Sequence, residues 1–329
     1  MKTRQTTETL RAIARLFLFL PIINLSVAAE GTYPEKPLTI VVPYSAGGST
    51  DVLARVISKK MTEKLGQIIV VENRVGATGR IAEDYVSKAK PDGYTILYHS
   101  FPFVVNSSSR IRANGGTDNL QPIAMVTRAA MILVVNSNLA AKTLPEFLIY
   151  EKQHPMSASY ASFGIGSPAH LAGELLAQST NIRMLHIPYK GGSPAIIDVL
   201  GGHVDSYFSN VATALPHLRS GKLRGLAVSS SMRISAFPDV PTAQEILGKP
   251  FDIVDWHGMF VPKGTPVDVV NKIVAAVQYA MQDAEVRKSI DDLGVESLFI
   301  ESDPFSKWLD LEVMKWSKLV REKDIKIID

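Results

Sequence analysis

The sequence predicts an α/β protein built from two units, each with a doubly wound parallel sheet. Three observations carry this prediction. Short apolar, β-branched runs alternate with segments of helical period. The alternation occurs twice, and a long apolar stretch from Ile123 to Val135 lies between the two series. The length of 329 residues suits two domains at ~150 residues each. A hydrophobic fraction of 46% with 20% charged residues is that of a globular chain.

The first series opens with Leu38-Thr39-Ile40-Val41-Val42, a buried strand stopped by Pro43. Val52, Leu53, Val56, Ile57, Met61 and Leu65 follow at helical spacing, and Gly66 closes that helix. Ile68 to Val71 is a strand, Ile81 to Ala89 a helix, and Tyr94 to Tyr98 a strand after the turn Pro91-Asp92-Gly93. The β-α-β-α-β order implies parallel strands. The second series has strands at Ser157–Ser162, Leu185–Tyr189, Val204–Phe208 and Gly225–Ser229, with helices at Ala169–Gln178 and Ala195–Leu200. Ile123 to Val135 reads as a strand passing from one unit to the other, and Phe251 to Val261 as a strand before Pro262. Helices around Val267–Gln282, Ala284–Leu293 and Pro304–Arg321 finish the chain. In the last of these, Trp308, Leu311, Trp316 and Leu319 are expected on a core face.

The net charge of +3 belongs to the N-terminus. The first 29 residues hold four basic residues against one acidic, so the remainder carries 31 of each sign. A balanced body offers no footprint for nucleic acid. Arg11 and Arg15 precede an apolar run, Leu16 to Leu25, and small residues Ser26-Val27-Ala28-Ala29. This is the pattern of a secretory signal peptide cleaved near Ala29. The run is about half the ~20 residues a spanning helix needs. With no Cys, disulfides and thiolate metal sites are excluded.

In open parallel sheets, ligands sit beyond the carboxyl ends of the strands. Three glycine loops lie at such positions. Pro43-Tyr44-Ser45-Ala46-Gly47-Gly48-Ser49-Thr50-Asp51 is either an anion-binding loop or an ordinary βα turn with Ser49 as N-cap. Gly166-Ser167-Pro168-Ala169 and Gly192-Ser193-Pro194-Ala195 each place Ser to cap a helix and Pro in its first turn. Two such starts on neighbouring strands favour a carboxylate or phosphate. Gly164-Ile165-Gly166-Ser167-Pro168-Ala169 nearly fits a dinucleotide fingerprint, but Pro188-Tyr189-Lys190 stands where its acidic residue belongs. No Walker loop, nucleophile elbow or zinc spacing of His occurs, so no cofactor or metal is expected.

Several stretches together are recognisable. They include Tyr33-Pro34-x-Lys36-Pro37, Val41-Val42-Pro43-Tyr44 with Gly47-Gly48-x-x-Asp51, and Val71-Glu72-Asn73-Arg74-x-Gly76-Ala77-x-Gly79. Pro91-Asp92-Gly93-Tyr94-Thr95, Ser167-x-x-His170-Leu171-Ala172-Gly173-Glu174, Pro188-Tyr189-Lys190-Gly191 and Pro238-Asp239-Val240-Pro241-Thr242 follow in order. From about Tyr33 to the C-terminus the chain resembles the Bug-type solute receptors of tripartite tricarboxylate transporters.

The resemblance implies a type II periplasmic binding fold, with two α/β domains around a ligand cleft joined by two crossover strands. It sets residues 1–29 as signal peptide, 30–125 plus 256–329 as the first domain, and 126–255 as the second. The implied ligand residues are Tyr44, Ser45, Ala46, Gly47, Gly48, Thr50 and Asp51 on one wall. Ser162, Gly164, Ser167, His170, Tyr189 and Lys190 line the other, and Ser100, Phe101, Ser209 and Asn210 complete the pocket. Many relatives carry an acidic residue where Ser209 stands, and its absence argues against an amino acid ligand. Phe101, Phe103 and Ile165 suggest a more apolar pocket. The role of Ser107 to Asn119, rich in Ser, Gly and Asn, is not assigned. The expected function is a periplasmic, monomeric, non-catalytic receptor that delivers a small organic carboxylate to integral-membrane permease subunits. The alternatives are an exported α/β hydrolase of a small ester and a sensing subunit for a membrane kinase.

Overall fold

The computed structural model describes residues 33–108, 117–154, 158–189 and 191–322. The expected signal peptide lies outside the described residues, as do Lys190 and most of the segment between Ser107 and Asn119. Strand β1 (Leu38–Val42) is buried except at Thr39, and Pro43, which has no N–H to donate, follows it. Helix α1 (Ser49–Leu65) ends at Gly66 in the left-handed conformation (φ 68°), as its sequence predicts. Strands β2 (Ile69–Asn73) and β3 (Thr95–Ser100) flank β1, both parallel to it. Helix α2 (Arg80–Ser87) crosses between them and α3 (Pro102–Ser108) follows β3.

The expected crossover is the 17-residue strand β4 (Leu120–Asn136), about three times the usual strand length. From Leu120 to Ala130 it pairs antiparallel with β9 (Val254–Pro262), which in turn pairs with β3. From Met131 onward its partners are β7 (Ser206–Asn210) and β8 (Leu223–Val228). One continuous strand therefore serves both sheets, and its partners change between Ala130 and Met131. In the second series, β5 (Ser159–Ser162) lies parallel to β6 (Leu185–Pro188) and β7. Its helices are α4 (Leu144–Gln153), α5 (Pro168–Thr180), α6 (Gly192–Leu200), α7 (Val211–Arg219) and α8 (Ala243–Leu247).

Helices α9 (Val267–Gln282), α10 (Ala284–Asp292) and α11 (Ser302–Glu322) return to the first series. Strand β10 (Glu296–Glu301), which shows no clear apolar alternation, pairs with the outer part of β4. In α11 the inward residues are Phe305, Leu309, Trp316, Leu319 and Val320, while Leu311 is 61% exposed. The expectation for Leu311 fails on helical geometry. It stands two residues beyond Leu309, about 200° around the helix at ~100° per residue.

Close packing of α5 on the sheet sets a steric limit at Gly173. A Cβ built there meets the Tyr160 ring at 2.2 Å. That ring is pinned, since its hydroxyl donates to Glu174 Oε1 at 2.7 Å and its face stacks on His186 at 5.0 Å. Gly173→Ala should therefore overpack the core and cost about 1–3 kcal/mol, read as a lower urea midpoint. An unchanged midpoint would show that the ring moves freely.

Candidate ligand-binding site

The first wall is the turn between β1 and α1. Gly47 has φ +79°, a conformation L side chains rarely adopt, which explains glycine there. The turn is held by Asp51. Its carboxylate accepts from Gly47 N–H at 2.9 Å, Arg55 Nε at 2.9 Å and Asn73 Nδ2 at 2.9 Å. Burial raises the Asp51 pKa, but these three donors outweigh it and hold the carboxyl below its ordinary value. Asn73 also donates to the Tyr44 carbonyl at 2.9 Å. Asp51 thus anchors the loop, while Ser45, Ala46, Gly47 and Gly48 are exposed at its tip. Ser49 is not the N-cap; Gly48 is, and no side chain caps α1. The first N–H groups of α1 consequently have no side-chain cap.

Below that turn lies a polar floor on β9, β3 and β4. His257 Nε2 meets Thr50 Oγ1 at 3.1 Å and Nδ1 meets Thr127 Oγ1 at 2.8 Å. The ring stacks on Tyr98 at 5.6 Å. Burial, reinforced by His99, pushes its pKa down to about 3, so the imidazole is neutral and one nitrogen donates while the other accepts. The Tyr44 hydroxyl lies 3.1 Å from Ser100 Oγ. Asp255 is 6% exposed, and its carboxyl accepts from the backbone N–H of Trp256 at 3.0 Å and from that of Phe101. Burial pushes its pKa up to about 7.

Phe101 contributes only this backbone group. Its side chain is fully buried against Trp316, ring centroids 5.4 Å apart, and Phe103 stacks on Phe260 at 4.2 Å. Phe101 thus serves the core under α11, which supplies Trp316, and Phe103 packs on Phe260 of β9. Of the three apolar residues expected to line the pocket, Ile165 alone is partly exposed.

The second wall follows β5, β6 and β7. Ser162 Oγ donates to the Gly164 carbonyl at 3.0 Å and lies 2.7 Å from His186 Nε2. His170 Nδ1 accepts from Gly166 N–H at 3.0 Å, and Ser167 caps α5 by accepting from His170 N–H at 3.3 Å. The His170 and His186 rings stack 3.8 Å apart. Burial holds His170 down at about 4; burial and the His170 neighbour hold His186 at about 3. The Tyr189 hydroxyl donates to Asp198. Ser209 Oγ donates to the Asn210 carbonyl at 3.1 Å, and the buried Asn210 Oδ1 has no partner among the described residues. Ser193, expected to cap α6, lies inside that helix, whose N-cap is Gly191. Lys190 lies outside the described residues.

The sequence reading missed His257, Thr127, His186 and Asp255. A signal was present: Asp255 and His257 interrupt an otherwise apolar strand, where an unexplained polar pair asks for partners.

Comparison with known proteins adds to this geometry. A family model described as the tripartite tricarboxylate transporter family receptor matches residues 53–325. Protein BugT of Bordetella pertussis is 35% identical over 321 residues, covering 97% of this chain and 98% of its own. The periplasmic binding protein BugD has a structure with TM-score 0.79 at 34% identity, covering 89% of this chain and 99% of its own. MatC of Rhodopseudomonas palustris, solved with bound malate, has TM-score 0.76 at 31% identity, covering 88% and 100%.

The stacked histidines make stability depend on acid. Their folded pKa values, about 4 and 3, lie below the usual ~6.5, so the unfolded chain binds more protons in that window. Their contribution is full above about pH 6.5 and is lost as pH falls toward 4. His186→Gln should reduce the drop in urea midpoint between pH 6.5 and 4.5. Equal drops in variant and native protein would remove this pair as the cause.

Proposed function

This chain belongs to the tripartite tricarboxylate transporter receptor family, whose members are periplasmic solute-binding receptors and not enzymes, and on that premise we propose that it captures a small organic carboxylate and delivers it to membrane permease subunits. The observation that carries this reading is the turn from Tyr44 to Asp51. It is locked from behind by Asp51 and Asn73, and it opens on a helix start with no side-chain cap. Such a start suits a carboxylate, because its N–H groups and the helix dipole both favour negative charge. That the related MatC was solved with malate supports the same ligand class.

In this reading residues 30–125 with 256–329 form one lobe and 126–255 the other. The change of β4 partners after Ala130, and the start of β9 at Val254, support a hinge at these two crossings. Ligand bridging both walls would shift the equilibrium toward closure. The chain is exported and acts as a monomer, with cleavage near Ala29. Among the described residues no helix is long and apolar enough to cross a membrane. The chain's ligand residues are Tyr44 to Gly48, Thr50, Ser100, Ser162, Gly164, Ser167, His170, Tyr189, Ser209 and Asn210. With Phe101 and Phe103 turned into the core, the ligand needs no aromatic body.

A thermal-shift screen of the mature protein against malate, succinate, adipate, benzoate and aspartate tests the reading. A true ligand raises the melting temperature by mass action. Succinate should bind more tightly than aspartate, because Ser209 offers no charge to an ammonium. No shift with any carboxylate would sink the reading. Gly47→Val should weaken carboxylate binding at least tenfold, while costing only about 1–2 kcal/mol of stability through its left-handed backbone. A folded Gly47→Val protein with native affinity would make the loop merely structural.

A further inference from the structure

We propose that Asp255 is a ligand-reading residue at the floor of the site, and that capture of an anionic carboxylate is completed by uptake of a proton onto its carboxyl. The inference rests on the receptor reading above and adds a residue and a chemical step to it.

Position is the first argument. Asp255 opposes Ala129 on β4, one residue before that strand changes sheets. Its carboxyl takes the backbone N–H of Phe101, directly after Ser100. Its charge acts on the hydroxyls of Tyr44 in the first wall and Tyr207 on β7, and helps raise the pKa of both beyond what burial does. Tyr207 in turn bonds Ser209. The charge of this one carboxyl therefore acts on groups of both walls.

The second argument is unmet capacity. A carboxylate offers about four acceptor positions, and two backbone N–H groups use part of them. The titratable groups facing it are Tyr44 from the turn, Tyr98 from β3 and Tyr207 from β7. His257 lies two residues along its own strand and is neutral. Among the described residues neither the hydrogen bonds of Asp255 nor the charges acting on it include a Lys or Arg. The surrounding strand is Trp256, Gly258, Met259, Phe260 and Val261, where a purely structural position would take an apolar side chain.

The chemistry follows. A ligand carboxylate brought beside ionised Asp255 in a low-dielectric site is repelled, and like charges raise the acid's pKa. Burial has already carried that pKa to about 7, so the proton costs little near neutrality. A proton from solvent adds to one carboxylate oxygen of Asp255, forming an O–H bond; no other bond changes, and the ligand stays anionic. The neutral acid can then donate to the ligand. Because Ser209 bears no charge, Asp255 is the acid in this part of the site, and its protonation favours an anion over a zwitterion.

Calorimetry of the mature protein with succinate and malate tests this, at about pH 8 in phosphate and in Tris, which differ in ionisation enthalpy. The expected result is a buffer-dependent enthalpy approaching one proton taken up per ligand. Affinity should fall up to about tenfold per pH unit above pH 7, where both probes have finished titrating. Asp255→Asn should abolish the buffer dependence and the pH slope. If that variant does not fold, the native buffer comparison decides alone. Binding with no buffer dependence overturns the inference, as does uptake that persists in folded Asp255→Asn. Aspartate bound more tightly than succinate without uptake also overturns it, since Asp255 would then be an ionised counter-charge. Binding of neither probe defeats the receptor reading itself and the inference with it.

Discussion

The neutral imidazole of His257 holds the site together. It joins Thr50, at the start of α1, to Thr127, on the long strand β4, across 207 and 130 residues of chain. Buried polar groups must be paired, and here the pairing leaves little choice of arrangement. The β1–α1 turn must sit over β9, and β9 must lie between β3 and β4. Tyr98, stacked on the imidazole, fills the remaining face. The geometry of the first wall depends on this one contact set.

The two walls are built differently. In the first, the side chains face backward. Asp51, Arg55 and Asn73 bond one another and the loop backbone, so the exposed tip from Ser45 to Gly48 presents mainly backbone. In the second, the polar side chains are bonded to their own loops. Ser162 meets Gly164, His170 meets Gly166, and the stacked imidazoles close the interior behind them. Preorganised backbone groups need little rearrangement to meet a ligand, which suits capture rather than chemistry.

The fold and much of the first wall were legible in the sequence because their signals are local. Leu38 to Val42 is apolar and stops at a proline; Gly66 ends α1; Gly47 marks a turn that needs a left-handed backbone. Ser167 signals its cap three residues ahead of His170. Local signals also misled. Ser49 and Ser193 look like caps, yet glycines take those positions. Phe101 and Phe103 look like pocket surface until Trp316 of α11 and Phe260 of β9, both far along the chain, supply their packing partners.

The sequence by itself determined the alternation of strands and helices, the place of the glycine loops and the long apolar run that became β4. These follow from backbone sterics and hydrophobic period, which act within a few residues. The tertiary structure decided which polar side chains meet. His257 is bonded to Thr50 and Thr127, and the charge of Asp255 acts on Tyr44 and Tyr207, only because β4 and β9 bring distant segments to one crossing. Burial then set their protonation, lowering the imidazole and raising the carboxyl. Desolvation is a property of the packed surroundings, and no stretch of sequence carries it alone.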